Sequence, residues 1–203
     1  MINTIIFDFG DVFINLDKSA TEKRLTQLGL NNQLANHQKK IDQQYEVGNM
    51  TTTEFIKNYQ KLLPNTSEKE IKNAWNAILS DFPLHRLEFI EKLADEKKYK
   101  LILLSNTNEL HIDWIKQHVA FYSKFKSCFD SFYLSHEINL RKPDSNIFEF
   151  VLKQHQLIPS ETLFIDDTKE NTDTASSLGI HTWNNDPKTD DITELFITKS
   201  DLF

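Results

Sequence analysis

The chain lacks most of what a secreted, membrane-spanning or dinucleotide-binding protein needs. Its 203 residues include one cysteine, Cys128, so no internal disulfide can form and a cytoplasmic setting is expected. Four glycines, at positions 10, 29, 48 and 179, cannot be arranged as G-x-G-x-x-G or as a P-loop, which removes both Gly-rich nucleotide cradles. No basic leader precedes an apolar stretch at the amino end, and no apolar run approaches the roughly 20 residues that a membrane-spanning helix requires. An excess of positive charge is missing too. Lys and Arg number 23 against 30 Asp and Glu, a net charge of −7, so no basic face is available for a nucleic-acid backbone. The Lys-rich run Glu96-Lys97-Lys98-Tyr99-Lys100 stands at an expected helix end, where cations suit the dipole, and reads as a solvated turn. Cys128 lies amid Phe125, Phe129 and Phe132 and is expected to pack rather than react.

What is present describes a folded α/β protein. A hydrophobic fraction of 39%, with 15 Phe, is enough for a real core, and the length favours one domain with an insertion or two modest domains. Strand patterns fall at residues 4–7, 101–104, 132–134, 162–165 and 180–183. Between them run helical faces: Leu87, Ile90, Leu93 and Ala94; Ile112 and Ile115; Ile147, Phe148, Val151 and Leu152 within 144–155; and 170–178, closed by Gly179. Strands separated by helices imply a parallel sheet with right-handed crossovers.

Residues 18–80 carry no convincing strand. Thr51-Thr52-Thr53-Glu54 and Ser67-Glu68-Lys69-Glu70 both have capping-box spacing, each followed by a helical apolar stripe. Gly29 and Gly48 stand where two earlier helices would end. The expectation is a helical insertion of about four helices over residues 16–85, within a core formed by 1–15 and 86–203.

Four short segments carry the chemistry: Ile5-Ile6-Phe7-Asp8-Phe9-Gly10-Asp11, Leu103-Leu104-Ser105-Asn106, Arg141-Lys142-Pro143 and Phe164-Ile165-Asp166-Asp167. The first, second and fourth are apolar runs that break into polar residues, as buried parallel strands do at their carboxyl ends, where open α/β sheets bind ligands. A carboxylate, a hydroxyl with backbone N–H groups, an ammonium and a carboxylate pair at one sheet edge make a site for an anion plus a divalent cation. The ligand atoms are all hard oxygens, which favours Mg²⁺ over zinc.

In this order the segments resemble the haloacid dehalogenase-like hydrolase superfamily, most of whose members are Mg²⁺-dependent phosphatases. The stretches 104–111, 133–143 and 164–171 are similar to the branch containing bacterial α-D-glucose-1-phosphate phosphatase. The resemblance implies a Rossmann-like α/β core with an inserted helical cap. It also implies hydrolysis of a small phosphorylated metabolite, such as a sugar 1-phosphate, through an aspartyl-phosphate. Asp8 would be the nucleophile. Ser105, the backbone N–H of Asn106, and Lys142 would hold the phosphoryl group, and Lys142 would also offset its repulsion from Asp8. The metal site would be formed by Asp8, the Gly10 carbonyl, Asp166 and Asp167, with Asp166 the favoured direct ligand of the acidic pair. Asp167, the second member of the acidic pair, is expected to orient bound water or Lys142.

One departure stands out. The family's phosphatases usually carry a second Asp two residues after the nucleophile, a general acid/base for the leaving oxygen. Here that position is Gly10, and the neighbouring acid, Asp11, points elsewhere if the turn is tight. Two other classes therefore stay open. A 2-haloacid dehalogenase also lacks that Asp, although it works without metal and leaves the acidic pair unexplained. A non-catalytic phospho-sensing module of the receiver type carries similar residues, but with the acidic pair ahead of the phosphorylated Asp. Of the remaining candidates, His111 and His136 read as structural, Asn171 as a loop or surface residue, and Asp17, Tyr45 and Glu46 as cap residues able to contact substrate or simply to cap and pack.

Overall fold

The structure is a computed structural model describing residues 1–31 and 35–203. Residues 32–34, inside the expected insertion, lie outside the described residues. Five parallel strands form one sheet: β1 (Thr4–Phe7), β2 (Lys100–Ser105), β3 (Ser131–Leu134), β4 (Thr162–Asp166) and β5 (His181–Asn184), in the order β3-β2-β1-β4-β5. Each strand begins and ends within a residue or two of its expected position. β1 and β4 are buried at every position, as strands covered on both faces must be.

Alternation along the strands divides the core. Ile5, Phe7, Leu101, Leu103, Leu163 and Ile165 face a layer formed by α5 (Leu84–Glu96), α6 (Glu109–His118), α7 (Tyr122–Ser127) and α11 (Leu195–Thr198). Ile6, Ile102, Leu104 and Phe164 face the opposite layer, formed by α9 (Ser145–His155) and α10 (Lys169–Ser177). Much of the Phe content sits in the first layer, where Phe9 stacks on Phe125 at 5.2 Å and Phe13 meets Phe125 edge-on at 4.9 Å. Cys128 packs against this cluster, and burial pushes its thiol up to about 11. The Lys-rich run is a turn beyond α5, with Lys97 left-handed at φ 50°.

Among the described residues, four α-helices lie between β1 and α5: α1 (Ala20–Gln27), α2 (Ala35–Glu46), α3 (Thr52–Leu62) and α4 (Glu68–Trp75). Both capping boxes form as the spacing predicts, at Thr51/Glu54 and Ser67/Glu70. The helices share an apolar cluster of their own, centred on Tyr45, Phe55, Tyr59 and Trp75, with Tyr45 stacked on Phe55 at 4.1 Å. The chain enters and leaves this unit through a short two-stranded crossing. Asn15 N–H donates to Asp81, Ser80 N–H to Asn15 and Asp17 N–H to Ile78, at 2.8–3.0 Å. Buried Arg86 braces the crossing by donating to the Asn15 side chain and to Asp191, both at 2.9 Å. α5 starts at Leu84 and packs into the sheet cluster, so the helix begins ahead of residue 86.

The insertion also meets the sheet layer at the carboxyl end of α2. Ser135, the first residue of the short helix α8 (Ser135–Ile138), donates to the Glu46 carbonyl at 2.6 Å, Asn139 donates to the Val47 carbonyl at 2.8 Å, and Arg141 pairs with the Glu46 carboxylate at 3.1 Å. Gly48 closes this seam at φ +70°, where a Cβ would stand 2.0 Å from the His136 carbonyl oxygen. Gly48→Ala is therefore expected to cost roughly 1–3 kcal/mol from the left-handed backbone alone, with steric overlap added. Urea unfolding should show a loss larger than that of Gly29→Ala, whose Cβ would meet nothing nearer than 4.0 Å.

Candidate active site

β1, β2 and β4 deliver their polar ends to one edge of the sheet. Asp8 follows β1, and its N–H is fixed by the Ile165 carbonyl at 2.8 Å. Ser105 ends β2, Asp166 ends β4, and Lys142 arrives from the loop after α8. Lys142 is 1% exposed and gives its ammonium protons to Asp8 Oδ1 at 2.7 Å, Asp166 Oδ2 at 2.6 Å and the Leu104 carbonyl at 2.8 Å. Asn106 anchors it there: its amide oxygen accepts from Lys142 N–H at 2.9 Å, and its Nδ2 donates to the Lys142 carbonyl at 2.8 Å. The side chain of Asn106 is thus a brace between two motifs, and its backbone N–H is the group left to face an anion.

Asp8, Asp166 and Asp167 offer carboxylate oxygens that all lie within 4.8 Å of one another. Burial pushes Asp8 up to about 7; Lys142 pulls it down, and Asp166 and Asp167 push it up. Burial also lowers the affinity of Lys142 for its proton, but Asp166 and Asp8 outweigh that and hold the ammonium charged. Two of the three carboxylates share the buried Lys142 ammonium and the third pairs with Lys18, which Asp11 also claims, so carboxylates outnumber ammonium groups and a hard divalent cation fits that deficit and the oxygen donor set.

Asp166 is saturated with donors: Lys142, the Thr168 N–H at 2.8 Å, and Asn171 Nδ2 at 2.9 and 3.0 Å to its two oxygens. Asn171 is therefore a buried support of the acidic pair, not a surface residue. Its signal was its place on the first turn of the helix after the pair, which aims a side chain back at the strand end. Asp167 does not orient Lys142 as expected. Its carboxylate turns outward to Lys18, a residue that no motif identified, because adjacent side chains diverge at a strand end. Asn184, at the end of β5, donates to the Asp166 and Asp167 carbonyls at 3.2 and 2.9 Å, a contact no local pattern encodes.

The turn after Asp8 explains the missing acid. A Cβ on Gly10 would stand 2.7 Å from Leu16 Cδ1, so a side chain there would compete with Leu16 for the same space. Asp11 adopts φ 53° and is buried, with Oδ1 accepting from Leu16 N–H at 2.9 Å and Oδ2 paired with Lys18 at 3.0 Å. It braces the turn. Ser105 keeps its hydroxyl at the edge, with only a long 3.5 Å contact to the Asn106 carbonyl.

The other candidates have partners within the fold. His111, drawn down to about 4 by burial, lies on Trp75 with ring centroids 5.4 Å apart. His136 supplies the carbonyl that Gly48 abuts. Tyr45 packs and donates or accepts with Thr52 at 2.7 Å; Asp17 accepts from Ser19 in a turn ahead of α1; Glu46 pairs with Arg141, next to Lys142.

Residues 2–179 match the haloacid dehalogenase-like hydrolase family, and the chain belongs to it. It is 34% identical over 192 residues to a D-ribitol-5-phosphate phosphatase of Bacteroides thetaiotaomicron, covering 90% of this chain and 91% of that protein. A crystal structure of a family enzyme from the same organism, in complex with magnesium and inorganic phosphate, superposes with a TM-score of 0.84 at 33% identity, covering 97% of this chain and 100% of that one. A HAD-like family hydrolase of Porphyromonas gingivalis superposes with a TM-score of 0.78 at 28% identity over 90% of each chain. Among the described residues, no helix is long and apolar enough to cross a membrane.

The geometry revises one expectation about Lys142. Removing it would strand two buried carboxylates, so Lys142→Met is expected to destabilise the fold by about 3–5 kcal/mol, the cost of breaking a buried ion pair. Urea denaturation without divalent cation should show this, and Lys142→Met/Asp166→Asn should recover part of the loss. Wild-type stability in the single variant would mean the carboxylates are not charged partners of Lys142.

Proposed function

We propose that the chain is a Mg²⁺-dependent phosphatase acting on a small sugar or polyol phosphate through an aspartyl-phosphate on Asp8. The observation that carries this reading is the acidic triad Asp8, Asp166 and Asp167 at the carboxyl edge of the sheet, its first two members ion-paired with buried Lys142. Asp8 attacks phosphorus, the ester P–O bond breaks, and the alcohol leaves; water then attacks the acyl phosphate, releasing inorganic phosphate and regenerating Asp8. Asp8, Asp166, Asp167 and the Gly10 carbonyl would hold Mg²⁺, which when bound would supply positive charge to the approach of two anions. Lys142 keeps Asp8 oriented and adds its own charge, while Ser105 and the Asn106 N–H hold phosphoryl oxygens as charge spreads over them. The B. thetaiotaomicron relatives, one named as a phosphatase and one bound to magnesium and phosphate, support the same chemistry. A dehalogenase reading leaves the third carboxylate of the triad without a use.

Residues 16–85 serve as a cap over this edge, entered and left at the crossing of residues 15–17 with 78–81. Its role is to shed water from the site during phosphoryl transfer. With Gly10 in place of a carboxylic acid, the leaving oxygen gains no proton from that position. An anomeric phosphate, whose leaving oxyanion is a weaker base than an alkoxide, suffers least from this in a largely dissociative transition state. A second reading has a specific support: the B. thetaiotaomicron relative is named for a 5-phosphate of an open-chain polyol, a primary ester.

Asp8→Asn and excess EDTA are each expected to lower turnover of the preferred phosphate ester by orders of magnitude, with the fold unchanged by circular dichroism. Full activity under either condition sinks the mechanism, and chloride release from a 2-haloacid without phosphatase activity promotes the dehalogenase. A panel of glucose 1-phosphate, glucose 6-phosphate and ribitol 5-phosphate tests the substrate. The leaving-group argument ranks the 1-phosphate above the 6-phosphate in kcat/KM. The reverse order would end that argument while leaving the phosphatase in place, and a preference for ribitol 5-phosphate over both would select the polyol reading. Restoring an acid at position 10 requires Gly10→Asp with Leu16→Ala, since Leu16 fills the space.

A further inference from the structure

The triad is served by two cations, not one. Lys142 reaches Asp8 and Asp166, and Lys18 reaches Asp167 from the opposite, solvent-facing side. Lys18 belongs to the segment that leads into the insertion, and its backbone is well placed for this contact. Asp11 N–H donates to the Ile14 carbonyl at 2.7 Å, Leu16 N–H to Asp11 Oδ1 at 2.9 Å, and Asp17 N–H to the Ile78 carbonyl at 2.8 Å. From that anchored start the Lys18 ammonium spans Asp11 Oδ2 at 3.0 Å and Asp167 Oδ2 in a closer contact. Its own side chain is 58% exposed, whereas those of Asp11 and Asp167 are 6% and 7% exposed. It is thus an exposed cation resting on two buried carboxylates, one of which belongs to the acidic triad.

We propose, resting on the metal-dependent reading above, that Lys18 is a positioning residue that holds Asp167 from the insertion side and contests it with the divalent cation. An ammonium and a divalent cation both draw on the negative charge of the same carboxylate, so each weakens the hold of the other. The consequence has an unusual sign. A residue that merely supported the loop would, when removed, loosen the metal site; removal of Lys18 should tighten it. The contact also ties the entry of the insertion to the acidic loop, so metal uptake at Asp167 and the position of residues 16–18 are linked through one ion pair.

The test is direct Mg²⁺ binding by isothermal titration calorimetry on the full chain, free of substrate. Lys18→Met and Lys18→Gln are both expected to bind Mg²⁺ roughly two- to fivefold more tightly than wild type, the range that a half-exposed ion pair supports. Lys18→Arg, which restores a cation, should stay at or below the wild-type affinity. Equal or weaker Mg²⁺ binding in both neutral variants, beside a wild type that binds, overturns the inference and leaves the phosphatase reading intact. A wild type that binds no Mg²⁺ removes both.

Discussion

Everything at the sheet edge is arranged around the Lys142 ammonium. Placing that charge where it is 1% exposed is tolerable only because two carboxylates and a carbonyl take its three protons. Those partners come from three different strands, so the ion cluster also fixes how β1, β2 and β4 end relative to one another. Asn106 and Asn171 then fix the charges themselves, one by bracketing the Lys142 backbone, the other by bridging both oxygens of Asp166. The result is a preorganised field that need not rearrange during reaction, which is where electrostatic catalysis gains over water. The same arrangement keeps the carboxylates in excess of the ammonium, and that imbalance is what makes a divalent cation part of the design.

Besides the Lys18–Asp167 pair, three joints of different character connect the insertion to the rest of the chain. The crossing at residues 15–17 and 78–81 is backbone ladder, braced by buried Arg86. The seam at Glu46–Gly48 is a close backbone approach that only glycine permits. Trp75 makes the third, donating from its indole to Asn108 at 3.1 Å while His111 lies against it. Two of these joints flank motif residues: Asn108 follows Ser105-Asn106, and Arg141 precedes Lys142.

The central strands β1, β2 and β4 were legible in the sequence because strands buried on both faces are written as apolar runs, and each of these runs breaks at a polar residue where the strand ends. The capping boxes were legible for a similar reason, since their hydrogen bonds join residues three apart. The site was legible as far as its motifs. What lay beyond was set by tertiary contact. Lys18 meets a residue 149 positions away, Asn184 clasps the carbonyls of Asp166 and Asp167 from a neighbouring strand, and Leu16 shares space with Gly10 through a turn whose shape depends on Asp11. Of the two expected partners of Asp167, bound water and Lys142, the second is not within its reach, and Lys18 pairs with it instead. The pleat at the end of β4 sends consecutive side chains apart, and only Asp166 can face the buried ammonium.

The turn between Asp8 and Leu16 shows why the absence of an acid at position 10 is a property of the fold and not of one residue. Leu16 occupies the volume beside Gly10, and its N–H is held by Asp11, whose other oxygen is held by Lys18. Restoring a carboxylic acid would displace Leu16, which pairs with Leu79 across the crossing and so helps position the insertion. The chemistry of the leaving group, the packing of the turn and the entry to the inserted helices are thus coupled through a single side chain. The turn thus limits what position 10 can offer a leaving group, and binding energy contributed elsewhere can still decide which ester reacts fastest.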